Sequence, residues 1–301
     1  DGAVRAEIEL PVSTTRGEED RQEVFTTHTW TLSESLQLES GLRVEFSEIT
    51  QSGDAEQSRS FEYLKPRAVL TWRQDAQTRW RFSVLRDVAQ LQFGKFASTV
   101  DLNDDTSVVG NPDYVPQRSW VAEAEWERRF GDGSFSLVIG YDSVEDLDGW
   151  VPIESNGSVF DAPGNIGDGS NFRVTTNITT PLDNLGLTNA VLDVFLEYYD
   201  TNVEDPLTMI DRPWSGFREW ELRLDYRQTF PEAQFAWGWD YFWLSDGEIF
   251  RAQEYRVQGF TNGDLDLYVE TTRWLGLTLR AGVDGVINNG DDRERVFYDG
   301  S

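Results

Sequence analysis

The stretch FREWELRLDYRQTF, Phe217 to Phe230, alternates between two kinds of side chain. Trp220, Leu222, Leu224 and Tyr226 fall on one parity, and Glu219, Glu221, Arg223, Asp225 and Arg227 fall on the other. A period of two marks a strand, whose successive side chains point to opposite faces. One face here is apolar and edged with aromatics. The other is densely charged.

The same division recurs along the chain. In RSWVAEAEWERRF, Trp120, Ala122, Ala124 and Trp126 oppose Glu123, Glu125, Glu127 and Arg129. In AVLDVFLEYY, Leu192, Val194, Leu196 and Tyr198 oppose Asp193 and Glu197. Leu277, Leu279, Ala281, Val283 and Ile287 oppose Arg280 and Asp284, and Phe235, Trp237, Trp239, Tyr241 and Trp243 share one parity. One-sided antiparallel sheets in water also alternate, so parity alone does not choose the surroundings. Aromatics gathered near strand ends point to a membrane, because Trp and Tyr favour the headgroup level.

Thirteen strands are expected, near 3–10, 23–33, 38–48, 59–73, 79–93, 118–130, 134–147, 171–181, 190–200, 217–229, 234–244, 263–274 and 277–288. No useful length shows helical periodicity. The connections alternate long and short. Short ones are SES (33–35), QDAQ (74–77), GDG (131–133), PEAQ (231–234) and WLG (274–276); long ones are 94–117, 148–170, 201–216 and 245–262. A meander with this rhythm has its tight turns at one end and its long loops at the other, as outer-membrane barrels do.

Composition is compatible with that arrangement. Mean hydropathy is −0.51, and no apolar run approaches the roughly 20 residues of a spanning helix. Barrel strands evade such a scan by interleaving polar residues with their lipid face. The 12 Trp, 18 Phe and 10 Tyr need a place to go, and an outward belt supplies one. A net charge of −28 disfavours nucleic acid and anionic surfaces as partners. With no cysteine there is neither a disulfide framework nor a thiolate metal site. The opening DGAVRAEIEL lacks the basic end and apolar core of a signal peptide.

Several short motifs then resemble one family. YLKPRAVLTW, Tyr63 to Trp72, is similar to a strand opening common in TonB-dependent outer-membrane receptors. GNPDYVPQRSW, Gly110 to Trp120, resembles that family's segment where an external loop returns into a strand, with Gln117 standing where Glu is usual. FDAPGNIGDG (160–169) and GVINNGDDRERVFYDG (285–300) resemble later loop and penultimate-strand segments. The resemblance covers most of 59–301. It implies an all-β fold: an antiparallel up-and-down meander forming most of a large transmembrane β-barrel, incomplete or open, across residues 1–301. Neither the family's N-terminal plug nor a closing strand is visible, so a barrel fragment is expected.

The resemblance also implies function. The expectation is active uptake of a scarce solute, such as a siderophore, vitamin or glycan, across the outer membrane of a Gram-negative bacterium. Outer-membrane lipid and lipopolysaccharide would surround the barrel, and a TonB-type energising complex would act through a plug outside this chain. No enzymatic activity and no cofactor are expected. A passive porin-like channel and a soluble extracellular carbohydrate-binding β protein remain as alternatives.

Candidate ligand contacts are Tyr114, Trp150, Trp214 and Tyr255, which lie in or beside long polar loops. Exposed aromatics there suit stacking on sugars or aromatic chelates; packing of loop on loop is the alternative use. His28, the single histidine, sits on a strand without neighbouring partners and reads as interfacial rather than a ligand. DLNDDTSVVGNP, from Asp101, starts like a calcium loop but has Thr106 at position six and Pro112 at position twelve, so it fails. No hydrolase, metalloprotease or phosphate-loop pattern occurs.

Overall fold

The computed structural model describes residues 15–53, 56–90, 95, 99–101, 106–108, 110–111, 113–155, 158–252, 254–260, 263–274, 276–287 and 291–298. The strand expected at 3–10 lies outside them. In chain order the strands begin β1 (Thr15–Thr31), β2 (Leu36–Gly53), β3 (Gln57–Arg73), β4 (Thr78–Val88), β5 (Thr99–Asp101) and β6 (Thr106–Val108). There follow β7 (Arg118–Phe130), β8 (Gly133–Glu145), β9 (Asp148–Ser155), β10 (Ser158–Asn165), β11 (Gly169–Pro181), β12 (Ala190–Glu204) and β13 (Asp211–Arg212). The last are β14 (Trp220–Phe230), β15 (Phe235–Leu244), β16 (Gly247–Phe250), β17 (Glu254–Phe260), β18 (Asp264–Trp274), β19 (Leu277–Ile287) and β20 (Asp291–Phe297).

The main sheet has 13 strands in the order β1-β2-β3-β4-β7-β8-β11-β12-β14-β15-β18-β19, with β13 beside β12. Each strand pairs antiparallel with the next in this order, which is the expected meander. Among the described residues no pairing joins β1 to β19, so the sheet is open.

Register shows why the alternation decides the fold. Trp30, Leu38, Leu70, Phe82, Ala124, Ile139, Val174, Tyr198 and Trp220 are successive cross-strand partners, nine strands in one apolar row. Two residues away runs Leu36, Trp72, Trp80, Trp126, Leu137, Thr176, Leu196, Leu222 and Trp243. Between them lies a largely polar row: Gln37, Thr71, Arg81, Glu125, Val138, Thr175, Glu197 and Glu221. A slip of one residue on any strand would put charges into the apolar belt.

The belt faces outward. Trp30, Trp72, Phe82, Ile139 and Trp220 are all exposed, whereas the buried apolar clusters are small and lie elsewhere. The tryptophans therefore do not meet in a dry centre between two sheets, the arrangement a soluble sandwich requires. Beside the short turns the rings touch: Trp80 stacks on Trp126 at 5.7 Å, and Trp126 meets Phe135 at 5.1 Å. His28 shares the outward parity and lies 4.2 Å from the Trp30 ring. From Trp126 to Trp120 is six residues, or about 20 Å of strand, a height suited to the apolar band of an outer-membrane barrel.

The charged parity forms the inner wall. Glu45 pairs with Lys65 and, at 2.7 Å, with Arg21; Arg79 reaches Glu127 at 2.5 Å, and Arg227 reaches Glu270 at 2.6 Å. Asp193, Asp225, Asp240 and Asp266 are successive partners across β12, β14, β15 and β18. Such a row needs a hydrated face, as a wet lumen provides.

The structure differs from expectation at the long connections, which are not plain loops. They hold a four-stranded sheet, β5-β6-β10-β9, and the hairpin β16-β17, to which β20 from beyond β19 adds a third strand. These strands are short: β5–β6, β9–β10 and β16–β17 pair as local hairpins, while β6–β10 and β17–β20 join segments distant in sequence. β14 also starts at Trp220 rather than 217, because Arg218 instead bridges to Gly247. No helix is long and apolar enough to cross a membrane, which says nothing about crossing by strands.

Candidate functional site

The long connections gather at one end of the sheet and fold onto its inner face. Val144 shares the parity of Asp142, and Val203 that of Glu197; both belong to the charged wall. They pack with Leu147, Ile166 and Trp214 in a buried cluster that Val151 flanks. The β9–β10 hairpin and the 205–219 segment therefore rest against the wall from inside. Ile49 and Phe61, on the same face of β2 and β3, receive Tyr114 in a second cluster.

Polar side chains pin these segments together. Asn165 donates from Nδ2 to the carbonyls of Val115 (3.0 Å) and Asp146 (2.7 Å), and its Oδ1 accepts from Val115 N–H at 2.9 Å. Lys95 donates to Tyr114 Oη at 3.0 Å and pairs with Asp148. Burial alone would lower the Lys95 ammonium, but Asp148 and Tyr114 outweigh it and hold its pKa above the usual value. Trp214 donates from Nε1 to Asn202 O, and its N–H to Thr201 Oγ1, both at 3.0 Å. Gly169 suits this close approach, because a Cβ would lie 3.0 Å from both Asn202 O and Trp214 Nε1, tighter than ordinary contact.

The 245–260 connection continues this layer. Gly216 N–H donates to Glu248 O at 2.7 Å, and Phe250 N–H to Ser215 Oγ at 3.0 Å. Arg212 donates from Nε to Asp205 at 2.6 Å and places its guanidinium 4.4 Å from the Phe250 ring. Glu254 is 2% exposed and fully engaged: Oε1 accepts from Arg256 Nη2 at 2.6 Å, and Oε2 from Arg295 Nε at 2.8 Å. Across the gap, Asp161 Oδ1 of β10 accepts from Ala252 N–H at 2.7 Å. Burial pushes the Asp161 carboxyl up, against the pull of that N–H and of Arg251.

The four aromatics singled out in the sequence have different fates. Tyr114 and Trp214 are only 4% and 7% exposed and serve the two loop clusters. Trp150 is half-buried, its ring centroid 4.7 Å from the Arg251 guanidinium. Tyr255 is half-buried, donates its hydroxyl to Glu248 and meets Phe250 at 5.3 Å; burial and then Glu248 push it up to about 12. Trp150 and the Tyr255 hairpin are thus neighbours, Trp214 belongs to the adjoining segment, and Tyr114 stands apart but is tied in through Lys95 and Asp148. Sequence reading missed Arg251, Glu254, Arg256 and Arg295. The available signal was a set of basic residues in a long loop of a very acidic chain. Among the described residues, no group of three or more His, Asp or Glu side chains could hold a metal ion.

Comparison with known proteins agrees with this architecture. A family model described as TonB dependent receptor-like, beta-barrel matches residues 2–286. No curated protein sequence matches the chain. Among solved structures, the FrpB iron transporter from Neisseria meningitidis (F3-3 variant) superposes with a TM-score of 0.68 at 12% identity, covering 93% of this chain and 43% of its own. The copper transporter OprC gives 0.71 at 12% identity, with 90% and 44% covered. The ferric yersiniabactin uptake receptor FyuA from Yersinia pestis gives 0.67 at 10% identity, with 94% and 46% covered. The chain spans less than half the length of each of these proteins.

Proposed function

Because this chain belongs to the TonB-dependent receptor β-barrel family, we propose that it builds much of the wall and outer mouth of an outer-membrane receptor for a scarce solute. The continuous apolar rows are the observation that carries this reading: a belt nine strands wide fits lipid, and the charged parity behind it fits a hydrated bore. Large barrels of the 22-stranded transporter kind hold a plug in the lumen. On this reading the energising TonB-type complex acts through such a plug, and the inward-folded loops first meet the solute. The names of the similar structures, an iron transporter, a copper transporter and a ferric-siderophore receptor, support a metal or metal chelate as cargo.

The test is accumulation of labelled ferric chelates and copper by Gram-negative cells carrying the gene, with and without a working TonB complex. Accumulation confined to energised cells, with the protein in the detergent-extracted outer-membrane fraction, supports the proposal. Uptake indifferent to TonB would instead identify a passive channel. Release of the protein in aqueous buffer would remove the membrane reading altogether.

A further inference from the structure

A recess of about 220 Å³ lies on the inner wall of β1–β4, between the short turns and the loop layer, which reaches β2 at Ile49. Gly41 of β2 is in its lining, between its cross-strand partners Thr27 of β1 and Arg67 of β3. Glycine weakens a strand interior, and it is used there for a bulge, a bend or the close approach of another molecule. The ladders on both sides run through Gly41 without a bulge, its φ is not left-handed, and a Cβ would meet nothing nearer than 3.5 Å. Neither strain nor crowding calls for glycine. What it keeps clear is the recess.

The rest of the lining offers three kinds of group. Phe25 and Leu85 are apolar, and Phe25 is 70% exposed although it has the charged parity, where no lipid covers it. Arg43 and Arg67 are about half exposed. Among the described residues they are held only by ion pairs, to Glu23 at 3.6 Å and Glu39 at 3.3 Å, and by the Phe25 ring 5.9 Å from Arg43. Asp87 is exposed and has no basic partner among the described residues. Every base of the lining already has an acid beside it, Lys65 with Glu45 and Arg86 with Glu145 included.

A simple anion would therefore add negative charge next to Asp87 with nothing to offset it. A molecule carrying both signs would not. Its carboxylate fits the guanidinium forks, its ammonium fits Asp87, and its apolar part covers Phe25 and Leu85. Leu85 is the partner of Arg67 and Asp87 follows it on the same face, so Arg67 and Asp87 form a diagonal pair about 7–8 Å apart. The volume lies below the roughly 300–1,000 Å³ of drug-sized pockets, which suits a small solute or one end of a larger one.

Resting on the uptake reading above, we propose that this recess is a solute station on the inner wall, taking an amino-acid-like part of the cargo. The carboxylate lies on Arg43 and Arg67, the ammonium on Asp87, and the apolar side chain over Phe25. The cargo thus belongs to solutes that carry a carboxylate and an ammonium beside an apolar group.

Calorimetric titration of the full-length receptor in detergent, at fixed ionic strength, tests this with phenylalanine, phenylpropionate and phenethylamine as probes. Saturable phenylalanine binding is expected, at least about tenfold tighter than either analogue, each of which lacks one charged contact. Gly41→Leu should abolish it by filling the recess, in a strand that has room for the side chain. Arg67→Gln should weaken phenylalanine about tenfold and leave phenethylamine unchanged. Asp87→Asn should weaken phenylalanine and leave phenylpropionate no weaker. A merely structural role would move all three probes together. Arg129→Gln, which removes an exposed arginine beside a short turn, should bind like the parent. Heat-dependent electrophoretic mobility reports whether each variant is folded. Failure of the parent to bind phenylalanine, as when another part of the receptor covers the recess, would overturn the proposal. So would equal binding by folded Gly41→Leu, or phenylpropionate bound as tightly as phenylalanine. Binding in detergent needs no energising complex. Absent phenylalanine binding beside intact TonB-dependent uptake would therefore sink only the recess, and the converse only the uptake reading.

Discussion

At the scale of single residues, Trp214 and Asp205 carry the clearest consequences. Trp214 fills the centre of the loop cluster and spends both its N–H groups on β12. Trp214→Ala should cost about 3 kcal/mol of the docking free energy of this segment, seen as faster amide exchange across 205–219 with the barrel strands unchanged. Asp205 is governed by opposing effects. Burial would raise its carboxyl, but Arg212 and the N–H groups of Thr208 and Leu207 outweigh burial and hold it below the ordinary carboxylate range. A depressed folded pKa stabilises the fold above the unfolded value, and that stability disappears as pH falls through the folded pKa. Proteolysis at the exposed Leu207–Ile210 tip should accelerate in that acid window, and Asp205→Asn should abolish the pH dependence.

The strands themselves test the two faces separately. Leu222 sits in an apolar row between Leu196 and Trp243. Leu222→Arg should destabilise the folded protein by about 2–4 kcal/mol in lipid bilayers, measured by denaturant titration. The aspartate row on the other face predicts the opposite sign. Like charges directly opposite one another repel, so Asp225→Asn should stabilise by roughly 0.2–1 kcal/mol, and more at low salt. Strand edges followed the alternation in β7, which runs 118–130, whereas β14 starts three residues later than its equally strict alternation implies. The outer strands were not readable that way. VPIES and SVFDAPGN mix polar, apolar and proline residues without a period, and β10 meets β6 through the single pair Asp161 and Val108. The site was legible to the same degree. Aromatics in long loops could be picked out, but Ala252 and Asp161 are 91 positions apart, and nothing local announces that they touch.

For the whole molecule, the Asn165 carboxamide has the widest reach. It bonds Val115 on one side and Asp146 on the other, joining positions 50 and 19 residues away. Lys95, between Tyr114 and Asp148, fastens the same two flaps a second time, so they cannot swing independently. Any widening of the mouth that lifts the Trp150 hairpin must drag the Tyr114 segment with it, so gating would be a single cooperative event with one rate. Asn165→Ala together with Lys95→Ala should loosen that coupling, drawing apart the amide-exchange rates for 113–117 and 146–155 where the parent shows a shared one.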